Sequence, residues 1–197
     1  MSIAVIDYKA GNLTSVMKAL HALSADAFVT ADPEQVRGAD KIILPGVGHF
    51  AATSLLAETG LTEAVRESIG RGVPFLGICV GLQWLFEGST EAPGVPGLGA
   101  FAGMCERFET NMKIPHVGWN SLSIKPGSRL MAGVEEGAFV YYTHAWKAPV
   151  DQATVAVTDY AGSFTGAIER GNIMGVQFHP EKSAAPGMRV LANFVEM

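Results

Sequence analysis

The chain has 197 residues, of which 48% are hydrophobic and 17% charged, a composition that excludes a disordered protein and predicts one compact α/β domain. The net charge of -5 and the scattered Lys and Arg residues argue against nucleic acid as a partner, because phosphate binding needs clustered positive charge. No apolar stretch is long and uninterrupted enough to predict a membrane span, and we expect no signal peptide. The two cysteines form neither a disulfide framework nor a metal-binding pattern, which indicates a reducing, cytoplasmic setting.

The first half of the chain alternates short apolar strands with amphipathic helices. Four strands are predicted there, at residues 2–7, 27–30, 41–44 and from about 74 up to the cysteine at 79. Asn12 and the Asp-Pro-Glu run at residues 32–34 are typical of helix starts, and a further helical region is predicted over 55–71. This alternation predicts right-handed crossovers and a mostly parallel central sheet flanked by helices.

After residue 86 the pattern changes to a loop rich in Pro and Gly and then to shorter alternating runs. These runs lie around residues 104–108, 120–124, 138–143, 153–158 and 164–169. They predict hairpins added to the parallel core. A last buried strand over 173–178 leads to a His-Pro-Glu sequence, and a terminal helix is predicted at about 187–195. We expect residues 1–197 to form a single domain.

A cysteine stands between two glycines where the fourth strand turns into a helix. The sequence Gly-Ile-Cys-Val-Gly at residues 77–81 follows the strand, and apolar residues at helical spacing come after it. This Gly-x-nucleophile-x-Gly elbow holds its nucleophile at the carboxyl end of the sheet, and the glycines let strand and helix come close. The start of the helix favours a thiolate, so Cys79 is the candidate nucleophile.

His179 is the strongest candidate among the five histidines for a base that serves this cysteine. It ends the last parallel strand, and active sites of such sheets lie at the carboxyl ends of strands. Glu181 can orient one imidazole nitrogen while the other faces the thiol, and we expect Pro180 to keep the backbone between them extended. His-Pro-Glu could also be only a strand-ending turn, but the elbow at Cys79 favours the catalytic interpretation.

A glycine-rich turn, Pro-Gly-Val-Gly at residues 45–48, follows the third strand. Its backbone N–H groups, together with that of Val80, can stabilise a developing oxyanion. Gly46 and Gly48 followed by Ala51 also match a dinucleotide-binding fingerprint. That interpretation requires an acid at the end of the next strand, which ends instead at Cys79, so we reject nucleotide binding.

The second cysteine and two of the tryptophans have less specific signals. Cys105 lies in a predicted strand with no histidine at a matching position, so we expect a small buried residue. Trp119 and Trp146 are expected in loops. Trp119 has no core periodicity around it, which leaves a surface role open.

Three stretches together resemble the class I glutamine amidotransferases, which use a Cys-His-Glu triad. They are Pro-Gly-Val-Gly at residues 45–48, Gly-Ile-Cys-Val-Gly-Leu-Gln at 77–83 and Gly-Val-Gln-Phe-His-Pro-Glu at 175–181. Residues 7–13 and 113–120 are similar to the glutaminase subunits of imidazole glycerol phosphate synthase. The resemblance covers essentially the whole chain and implies a flavodoxin-like α/β fold with antiparallel strands added in the C-terminal half.

The resemblance implies a role for each residue of the triad. Cys79 would be the nucleophile, His179 the base and then the acid, and Glu181 the residue that orients it. The oxyanion hole would be formed by the amides of Val47 and Val80. In that family the Val47 peptide is thought to need a reorientation, so the hole would be incomplete without a partner.

The resemblance also implies a substrate and a partner. L-Glutamine would be held by Gln83, Gly48 and Glu91. A separate cyclase subunit would use the ammonia to make imidazole glycerol phosphate and the aminoimidazole carboxamide ribotide AICAR, most simply in a heterodimer. The residues that match family positions near this partner are Asn12, Trp119 and Lys182. No cofactor and no metal is expected.

One departure and two alternatives accompany this interpretation. The family usually has His-Ser-Tyr or His-Thr-Tyr where this chain has His-Ala-Trp at residues 144–146, which leaves the side-chain contacts to glutamine open there. A glutaminase serving another synthase, such as the one that makes pyridoxal phosphate, would share the triad but lack the Pro-His-Val-Gly-Trp-Asn stretch at 115–120. A non-catalytic interaction subunit on the same fold is the second alternative.

Overall fold

The computed structural model describes all 197 residues. Its strands are β1 Ser2–Ile6, β2 Asp26–Thr30, β3 Lys41–Gly46, β4 Phe75–Cys79, β5 Gly88–Ser89, β6 Met104–Arg107, β7 His116–Ser121, β8 Ser123–Ile124, β9 Phe139–His144, β10 Trp146–Lys147, β11 Thr154–Asp159, β12 Ser163–Arg170 and β13 Ile173–Val176. Its helices are α1 Leu13–Ala22, α2 Pro33–Gly38, α3 Ser54–Glu58, α4 Leu61–Gly70, α5 Val80–Trp84 and α6 Ala184–Glu196. Two short 3-10 turns cover Phe50–Thr53 and Pro180–Lys182. None of the helices combines the length and the apolar character that crossing a membrane requires.

Eight strands form the central sheet, in the order β2-β1-β3-β4-β13-β12-β11-β8. The first five pair in parallel, and β12, β11 and β8 continue the sheet with antiparallel pairs. Every residue of β3 and β4 is buried, as expected of parallel strands covered on both faces. The structure confirms the predicted mostly parallel sheet with antiparallel strands added in the C-terminal half.

The residues predicted to start the first two helices are their N-caps in the structure. The Asn12 side chain accepts a hydrogen bond from the backbone of Ser15, and that of Asp32 accepts one from Glu34, so each satisfies a free N–H of the first turn. The helical region predicted over residues 55–71 is divided into two helices, α3 and α4. Gly60 lies between α3 and α4 with φ +78°, a left-handed conformation that ends one helix and starts the next.

Smaller corrections concern the C-terminal half. Trp119 lies in β7 and Trp146 in β10, not in loops. The last strand ends at Val176, two residues before the predicted end, and α6 begins three residues earlier than predicted. Strands β7 and β9 pair with each other in a separate two-stranded sheet.

The two glycines of the elbow are required by the close approach of β3, β4 and α5. A methyl group at Gly77 would lie 2.3 Å from the carbonyl oxygen of Gly81, and one at Gly81 would lie 2.0 Å from that of Leu44. Both neighbours are backbone atoms, so no side chain can move aside to make room. The chain can therefore bring Cys79 to the end of β4 only with glycine at both positions.

Replacing Gly81 by alanine should lower the free energy of unfolding by more than about 3 kcal/mol, because the added methyl overlaps a main-chain oxygen in the core. Urea denaturation followed by circular dichroism measures this change. Gly94 is the matched control, since it is exposed and a methyl group there has no neighbour within 4 Å. Gly94→Ala should change stability by less than about 0.5 kcal/mol. Equal stability of the two variants would contradict the steric account of the elbow.

Candidate active site

Cys79 is the last residue of β4, and the helix α5 begins at the next residue. Its backbone has φ +55° and ψ -107°, a conformation that residues with a side chain rarely adopt and that is found preferentially at functional sites. The residue is 3% exposed. The predicted strand-to-helix elbow is present, with the thiol at the carboxyl end of the parallel sheet.

His179 and Glu181 form a buried pair beside this elbow. Nδ1 of His179 lies 2.9 Å from Oε1 of Glu181, and each side chain is 1% exposed. The predicted reason for their proximity was wrong, because Pro180 does not keep the chain extended. It opens the 3-10 turn Pro180–Lys182, since its fixed φ suits the first position of such a turn. The turn, and not an extended segment, brings the carboxylate back to the imidazole.

Strand β9 and the start of α6 hold His179 in place. The backbone N–H of His179 donates to the carbonyl oxygen of Tyr141 at 2.9 Å. The hydroxyl of Ser183 donates to the carbonyl oxygen of His179 at 2.6 Å and accepts from the N–H of Tyr141 at 2.9 Å. Because β13 pairs in parallel with β4, the imidazole lies at the same edge of the sheet as Cys79.

The imidazole of His179 is set up to carry a proton toward the sulfur. Burial by itself lowers the pKa of His179, but the charges of the Cys79 thiolate and of Glu181 outweigh it and raise the pKa above its usual value. Nε2 of His179 is buried and has no hydrogen-bond partner within the chain, so its proton is free for the chemistry at the pocket. The raised pKa keeps a proton on the imidazole of His179 at neutral pH, with the carboxylate of Glu181 behind the ring.

A pocket opens over Cys79. It is lined by Val47, Gly48, Cys79, Val80, Gln83, Glu91, Pro115, Thr143, His144, Ala145 and Trp146. The structure thus brings together Cys79 and all five residues predicted for the oxyanion hole and for glutamine. Glu91 is also engaged with the protein, since its Oε2 accepts from the N–H of Phe50 at 2.8 Å and so holds the segment after β3.

Gln83 and Gln177 connect the pocket wall to the sulfur. Nε2 of Gln83 donates to the carbonyl oxygen of Trp146 at 2.9 Å and to Oε1 of Gln177 at 3.2 Å. Nε2 of Gln177 in turn lies 3.7 Å from Sγ of Cys79. Sequence reasoning missed Gln177, although its place two residues before His179 puts both side chains on the same side of an extended chain.

The three residues predicted near a partner lie outside the pocket. Trp119 is 52% exposed and packs against the Tyr141 ring at a centroid distance of 6.1 Å. The ammonium of Lys182 lies 5.9 Å from the same ring. Asn12 is half-buried and caps α1. The prediction for Cys105 is confirmed, because it is fully buried and burial raises the pKa of its thiol.

The sequence pattern of the family described as glutamine amidotransferase class-I matches residues 4–197. The fold is similar to that of solved structures of this kind. A crystal structure of a glutamine amidotransferase covers 98% of this chain and 97% of its own, with a TM-score of 0.78 and 20% identity. The structure of PurLQS from Thermotoga maritima covers 99% and 97%, with a TM-score of 0.79 and 19% identity. The chain belongs to the class I glutamine amidotransferases.

Curated relatives narrow the family further. The chain is 46% identical to the imidazole glycerol phosphate synthase subunit HisH of Thermococcus kodakarensis, over 98% of each chain. It is 47% identical to that of Methanothermobacter thermautotrophicus, over 99% of this chain and 98% of the relative. Within the class, the chain belongs to the HisH subunits of imidazole glycerol phosphate synthase, the glutaminase subunits of an enzyme of histidine biosynthesis.

Proposed function

We propose that this chain hydrolyses L-glutamine to glutamate and ammonia with the triad Cys79, His179 and Glu181, and that it supplies the ammonia to a separate cyclase subunit. The observation that carries the proposal is the position of the Cys79 thiol, under an open pocket and beside an imidazole that a buried carboxylate orients. Residues 1–197 act as one glutaminase domain in this account. The setting is cytoplasmic, because Cys79 has to remain a free thiol.

The reaction begins when the Cys79 thiolate attacks the carboxamide carbon of glutamine. The oxygen of that group becomes an oxyanion, which the backbone N–H groups of Val80 and Val47 stabilise. His179 donates its Nε2 proton to the departing nitrogen, and ammonia leaves a glutamyl thioester on the sulfur. The imidazole then takes a proton from water, the hydroxide attacks the thioester carbon, and glutamate leaves as the thiolate re-forms.

Gln83, Gly48 and Glu91 form the part of the pocket that receives the rest of the glutamine molecule. Both hydrogens of the Gln83 amide are used by Trp146 and Gln177, so its Oε1 is left to accept from a donor on the substrate. Loss of one oxyanion-hole donor typically reduces turnover by ~10²–10³. A partner that sets the Val47 peptide could therefore switch the enzyme on.

The proposed cyclase contact is an exposed face of the two-stranded sheet, which we call the β7–β9 face. It consists of Val117, Trp119, Phe139, Tyr141 and Thr143, which are exposed or partly exposed and which, along β9, alternate with buried residues. Thr143 also lines the pocket, so a partner on this face would lie beside it. Lys182 lies at the Tyr141 edge of this face, and Asn12 belongs to the same proposed contact.

The cyclase, in this proposal, takes the phosphoribulosyl-formimino derivative of aminoimidazole carboxamide ribotide to imidazole glycerol phosphate and AICAR. The direct test is the rate of glutamine hydrolysis with and without a cyclase subunit and its ligand. We expect the rate to rise when both are present. A chain that releases no glutamate under any of these conditions would be a non-catalytic interaction subunit.

Trp119→Ala should weaken binding of the cyclase by about 2 kcal/mol, roughly thirtyfold in Kd, because a large exposed aromatic ring is the kind of residue that dominates interfaces. Isothermal titration of the two purified subunits measures this. Val29→Ala, on the edge strand β2 at the far end of the central sheet, is the control and should leave Kd unchanged. If both variants bind like the wild type, the partner docks elsewhere.

A further inference from the structure

Two buried histidines outside the triad, His116 and His144, contact each other directly. They stand opposite one another in the pairing of β7 with β9, and Nδ1 of His116 lies 3.1 Å from Nε2 of His144. The Tyr160 ring stacks on His116 at a centroid distance of 4.0 Å. Burial lowers the pKa of His116 to about 4 and that of His144 to about 3, so both rings are neutral at pH 7. A neutral imidazole has one donor and one acceptor nitrogen, which gives this contact a direction.

The outer end of the pair fixes that direction at His116. Nδ2 of Asn120 lies 3.4 Å from Nε2 of His116 and can only donate. The Asn120 amide has a defined orientation, because its Nδ2 donates to the carbonyl oxygen of Asp159 at 3.0 Å and its Oδ1 accepts from the N–H of Ser121 at 2.8 Å. Nε2 of His116 is therefore the acceptor, and its Nδ1 carries the hydrogen toward His144.

The inner end of the pair requires the same direction. Nδ1 of His144 lies 2.8 Å from the carbonyl oxygen of Trp146, which can only accept. Nδ1 of His144 therefore carries the hydrogen, and its Nε2 accepts from His116. Two independent neighbours, at opposite ends, specify one tautomer for both rings.

The hydrogen-bonded chain continues into the pocket. The Trp146 carbonyl oxygen also accepts from Nε2 of Gln83, which donates to Gln177, which contacts the sulfur of Cys79. The His116–His144 pair thus ends at the carbonyl oxygen of Trp146, the same atom that holds the Gln83 amide. The acceptor for both His144 and Gln83 is the main-chain oxygen of residue 146. Any residue at this position would supply the same oxygen, whatever its side chain.

We propose that His116 and His144 are positioning residues for glutamine hydrolysis, which hold the Trp146 carbonyl and through it the orientation of the Gln83 amide in the pocket. This inference rests on the proposed function of the Cys79 pocket and adds two residues to it. Without the pair, the carbonyl would lose its donor from His144, and the Gln83 amide could rotate and present its NH₂ group to the substrate.

The first test needs no variant. Nitrogen-15 spectra of the histidine rings in the complex with the cyclase at pH 7 report which nitrogen carries the hydrogen. We expect the neutral Nδ1–H tautomer for both His116 and His144. The Nε2–H tautomer, or a protonated ring, at either position would overturn the proposal.

The second test compares two replacements of His144 by KM for glutamine in the same complex. His144→Phe should raise KM about tenfold, because the Trp146 carbonyl loses a buried donor, and should leave ammonia-dependent synthesis unchanged. His144→Asn places an amide N–H near the position of Nδ1 and should recover part of the loss. Tyr142→Phe is the control. It removes a buried hydrogen bond close to the two histidines, the one to Thr158 at 2.7 Å, but none of the hydrogen bonds that lead from His116 to Cys79.

The outcomes separate this proposal from the one it rests on. If Tyr142→Phe raises KM as much as His144→Phe, or if His144→Asn is no better than His144→Phe, the pair has only a structural role. If His144→Phe does not fold, the nitrogen-15 spectra of the wild-type complex still test the proposal, because they report the tautomers of both histidines directly. Absence of glutamine-dependent activity in the wild-type complex would instead overturn the proposed function itself.

Discussion

Cys79→Ala should abolish the glutamine-dependent activity of the complex and leave its ammonia-dependent synthesis intact. The variant removes the only sulfur at the pocket, so no thioester can form, while the cyclase still receives ammonia from solution. Initial rates measured with glutamine and with an ammonium salt give both activities. The loss should be complete, because every later step of glutamine hydrolysis depends on the thioester.

Cys105→Ala is the matched control for this variant. Cys105 is the other free thiol, is fully buried and does not line the pocket. It should retain both activities. A Cys79→Ala complex that loses its ammonia-dependent synthesis as well would show that the two subunits do not divide the reaction as proposed.

Glu181→Gln should slow glutamine hydrolysis by on the order of 10²–10⁴ without unfolding the chain. The amide has no charge to raise the pKa of His179, and its NH₂ group can face Nδ1 and favour the wrong tautomer. Turnover with the cyclase and a thermal melt measure the two effects. Glu169→Gln is the control, because that carboxylate bonds Ser128 and Arg129 far from the pocket, so it should affect the melt and not turnover. Wild-type turnover in Glu181→Gln would show that Glu181 has no catalytic role and would contradict the proposed triad.

Local sequence signals predicted the parallel half of the fold well. The apolar runs that became β1, β3 and β4 are buried on both faces, and the caps at Asn12 and Asp32 start the helices that they predict. The elbow around Cys79 was predictable because the steric demand for its two glycines is local. One error arose where a residue has two compatible conformations. Pro180 suits the first position of a 3-10 turn as well as an extended chain.

The wall of the pocket was less predictable, because it depends on contacts between distant residues. Gln177 meets Cys79 only through the parallel pairing of β13 with β4. His116 meets His144 only because β7 and β9 pair in one particular register, and a shift of one strand by one residue would turn its histidine to the opposite face. The expected loop position of Trp146 likewise hid the role of its carbonyl oxygen, which contacts Gln83.

The central claim is that Cys79 attacks the carboxamide carbon of glutamine. The most direct test is to treat the complex of this chain and a cyclase with a glutamine analogue that carries an electrophilic carbon at the carboxamide position, and to locate the label by mass spectrometry of the digested chain. The account predicts one label per chain, on the peptide that contains Cys79, with parallel loss of glutamine-dependent activity. A label on Cys105, or full loss of activity with Cys79 unmodified, would contradict it.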